Sequence, residues 1–472
     1  MPTPNSSPGT FSPATGSASQ SSRDHTPGGQ WAQERIYPGM QLNSIHGEFS
    51  FSCHEMGPPS NSPATGGGLK ARDVSKYMQG FADTLLPGKI MFDSEIITVS
   101  RDKTDSTWAI TTKNRDTGLL ETRRFGKVVL RTGGTSQPMI PASLSSSAAK
   151  EADFESKVIH SAHFGANLPK ILSAISPKED AEERRPKSVV VIGGGKSARE
   201  QEPKYHNSPL RLEYSALWHM RTNDEGVSRE DGFHALVNNG TIQVIAPAWM
   251  TGYAAGRSVL LSNGQTVEAD MVILATGYAS TWDGIFKKET AAELGLYRHR
   301  SAIQVDERTN YKTLVNPPAP CPDNRENWSS SIYKGLVPAK NILRRDFAIN
   351  GTVITVNDGY SFEVMAHWIS SYFLGDKMKL PTAAEEAFAL TERDSMWFCK
   401  RFPDTNLSRN EACSSFAVCF TWPQCADELL EDMYLPSMRS GGNWLKWPFQ
   451  VVGIKELATL HEERAANRRK NM

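Results

Sequence analysis

Apolar residues are densest at Val189-Val190-Val191-Ile192, and the run stops abruptly at Gly193-Gly194-Gly195. A continuous β-branched run entering a glycine cluster predicts a buried parallel strand closed by a tight turn. Met271-Val272-Ile273-Leu274 predicts a second buried strand, ending at Ala275-Thr276-Gly277-Tyr278. Val128-Val129-Leu130 runs in the same way into Thr132-Gly133-Gly134. Elsewhere the period lengthens. Val74, Tyr77, Met78, Phe81 and Leu85 stand at helical spacing and stop at Pro87-Gly88. Phe362, Met365, Ile369 and Tyr372 do the same, with Asn357 and Asp358 as cap candidates. Residues 382–400 and 424–434 also predict helices. Strands are expected at 90–92, 95–99, 107–111, 123–130, 241–245, Ser258–Leu261 and Thr266–Glu268. Asp116-Thr117-Gly118 and Asn263-Gly264 read as hairpin turns.

The glycine cluster carries the candidate chemistry. Gly193 and Gly195 let the backbone bend and approach a pyrophosphate, and Ala198 takes the small position where a helix packs closely on its strand. Unpaired N–H groups of a following helix would face the anion. The candidate cofactor-binding run is therefore Gly193, Gly194, Gly195, Lys196, Ser197 and Ala198. Pro203 cuts that helix short, and Ser208-Pro209 interrupts the span to a second strand. Leu210 to Met220 reads equally as a helix or as that strand.

Composition narrows the classes. The chain has 472 residues, enough for two or three domains, and zero formal net charge. That balance, with no basic stripe, argues against nucleic acid or an anionic membrane surface as partner. Residues 1–30 are rich in Ser, Thr, Pro and Gly and are expected to be disordered; 58–68 share that composition. No two of the six cysteines are spaced CxxC, which weighs against a redox dithiol and a zinc ribbon and favours reduced thiols. Neither a signal peptide nor an apolar stretch of spanning length is visible, so cytoplasm is the default location.

Four elements taken in order resemble the flavin-containing monooxygenases, particularly the fungal branch, over residues 31–465. They are Tyr37-Pro38-Gly39 with Asn43, Phe154 to Ser161 with His160, the glycine turn, and Ala275-Thr276-Gly277-Tyr278. Ser156 stands where the family motif has glycine, and Arg131-Thr132-Gly133 stands where it has Ala-Thr-Gly. Tyr333 to Pro338 and Trp368 to Phe373 resemble its C-terminal landmarks. The resemblance implies an α/β fold with two dinucleotide-binding, Rossmann-like domains. The FAD domain would span 31–150 and 281–472, with an NADPH domain, 151–280, inserted in it. It implies FAD and NADPH as cofactors, with Thr132, Gly133, Thr276 and Gly277 near them and Asn43 beside the flavin ring. The implied reaction delivers one oxygen atom of O2, through a peroxyflavin, to a small nitrogen or sulfur nucleophile or a ketone.

Two departures bear on function. No Gly-x-Gly-x-x-Gly turn precedes Trp31, so the FAD domain is expected to lack its first strand, turn and helix. The stretch after Ala198 is short where the family places basic residues for the NADPH 2′-phosphate, leaving Arg211 and Arg221 as candidates. The alternative is an inactive member of the family that binds NADP(H) at most. His160, without a carboxylate partner in the sequence pattern, reads as a structural histidine at the domain junction, and Tyr278 as a packed aromatic.

Overall fold

The computed structural model describes residues 25–59, 68–102, 104–135, 137–176, 187–193, 233–282, 284–296, 299–301, 328–401, 416–418, 421–439, 445, 449 and 452–471. In chain order the elements begin with β1 (Gln41–Ile45), β2 (Gly68–Lys70), α1 (Ala71–Leu85), β3 (Ser94–Arg101), β4 (Trp108–Asn114), β5 (Leu120–Phe125) and β6 (Val128–Leu130). Next come α2 (Ser146–Glu151), β7 (Lys157–His160), α3 (Phe164–Ile175), β8 (Val189–Ile192), α4 (Phe233–Asn238), β9 (Met250–Ala254), β10 (Ser258–Leu261), β11 (Thr266–Glu268) and β12 (Met271–Leu274). The last stretch holds α5 (Lys288–Leu294), β13 (His299–Arg300), β14 (Trp328–Ser329), β15 (Ile332–Tyr333), β16 (Val337–Pro338), β17 (Phe347–Ile349), β18 (Val353–Ile354), α6 (Asp358–Leu374), α7 (Ala384–Arg401), β19 (Phe416–Ala417), α8 (Trp422–Asp432) and α9 (Leu460–Asn471).

The chain is an α/β protein in which one parallel unit interrupts another. Strand β6 pairs in parallel with β17, more than 200 residues later, from Val128↔Phe347 to Leu130↔Ile349. Between them in sequence lies a separate parallel sheet of order β7-β12-β8. Its central strand buries both faces with period two. Val272 and Leu274 pack with Phe154, Tyr253 and Val259 under the β9-β10-β11 sheet. Met271 and Ile273 pack on the other face against Ile171 of α3.

Strand β8 departs from the buried strand expected of it. Val190 and Ile192 join the inner cluster, yet Val189 and Val191 are 38% and 58% exposed. Helix α3 covers the β7–β12 side and leaves the outer side chains of β8 in solvent. Residues 241–245 form no strand; the backbone turns back on α4, where the Ile242 N–H donates to the Leu236 carbonyl. Residues 90–92 make only an isolated bridge. The expected strand at 123–130 breaks at Gly126-Lys127, so β5 closes the antiparallel β3-β4-β5 sheet while β6 turns to β17.

The C-terminal core centres on α6. Tyr360, Val364, Met365, Trp368, Ile369 and Tyr372 are all buried there, with Leu429 and Leu430 of α8 among their neighbours. The Asn357 side chain accepts the Tyr360 N–H at 3.2 Å and caps the helix. At the far end Gly375 takes a left-handed conformation and stops it. Glu34 accepts from the Thr26 hydroxyl at 2.6 Å, so residues 25–30, expected to be disordered, are held in place; residues 1–24 lie outside the described residues. Among the described cysteines, Cys53 and Cys425 carry unbridged thiols.

Candidate functional site

The chain crosses between its two parallel units twice, and the crossings run side by side. The Met139 N–H donates to the Gly277 carbonyl at 3.0 Å, and the Ala279 N–H to Gln137 at 2.8 Å. Side chains cross-brace the same segments. Thr276 Oγ1 donates to the Met139 carbonyl at 2.6 Å, and Thr281 Oγ1 to the Gly133 carbonyl at 2.8 Å. Thr132 and Thr281 hydroxyls meet at 2.6 Å. Gly133 and Gly277 both have positive φ, +65° and +86°, which lets the chain turn off its strand. The structure thus brings Thr132, Gly133, Thr276 and Gly277 into one junction, braced through Thr281, Met139 and His160.

His160 locks that junction. The side chain is buried; Nδ1 accepts the Ala162 N–H at 3.1 Å, which places the proton on Nε2, 3.0 Å from the Gly277 carbonyl. Burial lowers its pKa, only partly offset by the Gly277 hydrogen bond, so the ring stays neutral. Both nitrogens are satisfied by backbone, as a structural histidine requires.

One aromatic packs on it, and a second aromatic pair forms at the Tyr37 turn. The Tyr278 ring lies edge-on to His160 at 5.4 Å, and Tyr37 meets Phe164 at 5.0 Å. Burial, then the Tyr278 phenol, pushes the Tyr37 hydroxyl upward. The Tyr37-Pro38-Gly39 turn reaches this place because Gly165 has no side chain: a Cβ there would sit 2.7 Å from the Arg35 carbonyl oxygen. Gly165 is a site-forming residue that pattern reading missed, since nothing in its local sequence shows the long-range approach. Asn43 lies in β1, whose ends pair as Gln41↔Lys70 and Ile45↔Gly68.

The bend after Ile192 sits at the carboxyl end of the parallel sheet. The Ala275 N–H donates to the Ile192 carbonyl at 2.7 Å. Gly193 has φ +144°, and a Cβ there would overlap the Ala275 carbonyl oxygen. Only glycine fits, so this first position of the turn is accounted for by strand-to-strand contact. Gly194, Gly195, Lys196, Ser197 and Ala198 lie outside the described residues, as do Leu210 to Met220, Arg211 and Arg221.

Fold and junction together define a protein built of two dinucleotide-type α/β units, one interrupting the other. That architecture is shared with flavin monooxygenases. Residues 70–227 match the model of the L-lysine 6-monooxygenase/L-ornithine 5-monooxygenase family. The FAD-dependent monooxygenase DEP4 of Fusarium langsethiae is 28% identical over 202 residues, 43% of this chain and 30% of its own length. The chain spans less than a third of the length of the curated relatives it matches. In fold it is similar to the S-allyl-L-cysteine S-oxygenase of Allium sativum (TM-score 0.50, 14% identity, 96% of this chain and 87% of that one). It is also similar to the NADP+-bound cyclohexanone monooxygenase of Rhodococcus sp. Phi1 (TM-score 0.50, 13% identity, 88% and 92%). The resemblance to flavin monooxygenases read from the four motifs is thereby borne out. Among the described residues, no helix is long and apolar enough to cross a membrane.

Proposed function

We propose that this chain is an FAD- and NADPH-dependent monooxygenase that transfers one oxygen atom of O2 to a small nucleophilic substrate. The carrying observation is the Gly193 bend. It lies at the carboxyl end of a parallel strand, where open α/β sheets bind their ligands. The bend and the run that follows it would hold NADPH. The carboxyl ends of β6 and β17, with Thr132-Gly133, would hold FAD, within a domain made of residues 31–150 and 281–472. Residues 151–280 form the inserted domain in this reading. A match to amine-hydroxylating enzymes over residues 70–227 favours nitrogen over sulfur or a ketone as the acceptor.

FAD, when bound, would supply the two-electron and O2 chemistry, with NADPH as the reductant. The chain's own residues bind, orient and exclude. Neutral His160 ties β7 to the second crossing through its Nε2–H, holding the two units in register. Tyr278 packs edge-on against His160, and Tyr37 packs against Phe164 where the turn meets α3. Asn43, on the strand that follows the Tyr37 turn, would stand beside the flavin ring.

The test is oxygen uptake by the purified full chain, loaded with FAD and supplied with NADPH and a panel of primary amines, thioethers and ketones. Substrate-dependent uptake with a product one oxygen atom heavier supports the reading. A chain that binds NADP(H) but takes up no flavin and consumes no O2 overturns it in favour of an inactive nucleotide-binding member.

A further inference from the structure

We propose that Arg131 recognises the diphosphate of the dinucleotide held at the β6–β17 end. The inference deepens the FAD reading above and rests on it.

Arg131 is the first residue beyond β6, and the Asn350 N–H donates to the Leu130 carbonyl just before it. The side chain therefore emerges at the carboxyl end of a parallel pair, the place where such sheets take their ligands. It is exposed. The guanidinium lies 5.1 Å from the Phe362 ring centroid, and its Cγ would be 3.8 Å from a Cβ at Gly351, a residue with φ +121°. The ring contact consumes none of its donors. Among the described residues Arg131 makes no hydrogen bond or ion pair; the guanidinium is enclosed closely enough that burial lowers its pKa, and the Asp358 charge only partly opposes that. A planar fork of five donors, held in place and unspent, is matched to phosphate oxygens.

A second unspent group lies beside it. Asn350 is 6% exposed, and its Oδ1 has no partner among the described residues, while its Nδ2 reaches the Phe362 carbonyl at 3.5 Å. Buried acceptors are ordinarily satisfied. A cation and an acceptor at one strand end complement the phosphates and hydroxyls of a sugar diphosphate. Arg131 also occupies the position where the resembled family carries alanine.

The experiment titrates FAD into the full chain and into Arg131→Ala and Arg131→Lys, following flavin fluorescence, with ADP and riboflavin as competitors. Circular dichroism and thermal melting verify the fold of each variant. Loss of charge-assisted hydrogen bonds should weaken FAD and ADP roughly 10- to 100-fold in Arg131→Ala. Arg131→Lys should recover most of that loss, and riboflavin, which has no phosphate, should compete equally in all three. Equal FAD affinity in the wild-type chain and a folded Arg131→Ala overturns the inference and leaves the flavin reading standing. A wild-type chain that binds no FAD overturns both.

Discussion

Replacing Gly193 by alanine should open the β8–β12 edge of the inserted sheet while leaving the rest of the molecule intact. Two costs add. A φ of +144° lies in a region that only glycine occupies without strain, about 1–3 kcal/mol for any other residue. The new Cβ would also overlap the Ala275 carbonyl oxygen, so β8 must move off β12. That breaks the 2.7 Å bond from the Ala275 N–H to the Ile192 carbonyl, about 0.5–1.5 kcal/mol. The sum is about 2–4 kcal/mol, concentrated where β12 meets β8. Hydrogen exchange reads it locally: amides of Met271–Leu274 should exchange roughly 30- to 1000-fold faster. Peptides from α6, which packs in a different cluster, should not change. Unchanged protection in β12 would refute the close-approach argument, and equal acceleration in α6 would refute its locality.

Acid should destabilise the chain through its buried histidines. Burial, and then the Arg464 charge, pushes His367 down to about 3. The unfolded chain takes up that proton near pH 6.5 and the folded one does not, so stability is flat above about 6.5 and declines below it. The loss reaches about 3 kcal/mol by pH 4.5. His160, lowered in the same direction, adds to it. Urea midpoints followed by tryptophan fluorescence from pH 7.5 to 4.5 check the decline, and a His367→Gln chain should lose less. Arg101→Met should cost about 3–5 kcal/mol in the same assay. It strips the buried partner from Asp346 at 2.9 Å and Glu293 at 2.7 Å. Asn357→Ala removes the α6 cap and should cost about 1 kcal/mol, seen as faster exchange in the first turn of that helix.

Local signals were legible and long-range ones were not. Periodicity found α1 and α6 because each buries one face or more in a continuous cluster. Asn263-Gly264 marked its hairpin because Gly264, at φ +82°, sits where a side chain would be strained. Helix α3 escaped because Pro169 lies inside it. Strand β8 looked buried on composition, but burial depends on how far α3 reaches. The break at Gly126-Lys127 was hidden because β5 and β6 each satisfy a strand pattern while belonging to different sheets. At the site, the threonines and glycines of both crossings stood out as motifs. Their mutual bracing depends on Thr281, Met139 and Gln137, whose roles arise only once the two segments are side by side.

The central claim is that this two-unit fold holds a flavin that NADPH can reduce. The visible spectrum of the purified full chain, recorded anaerobically after FAD loading and desalting, tests it most directly. A retained flavin band near one per chain that bleaches on adding NADPH is the predicted result. A colourless protein, or a band that NADPH leaves untouched, would contradict it.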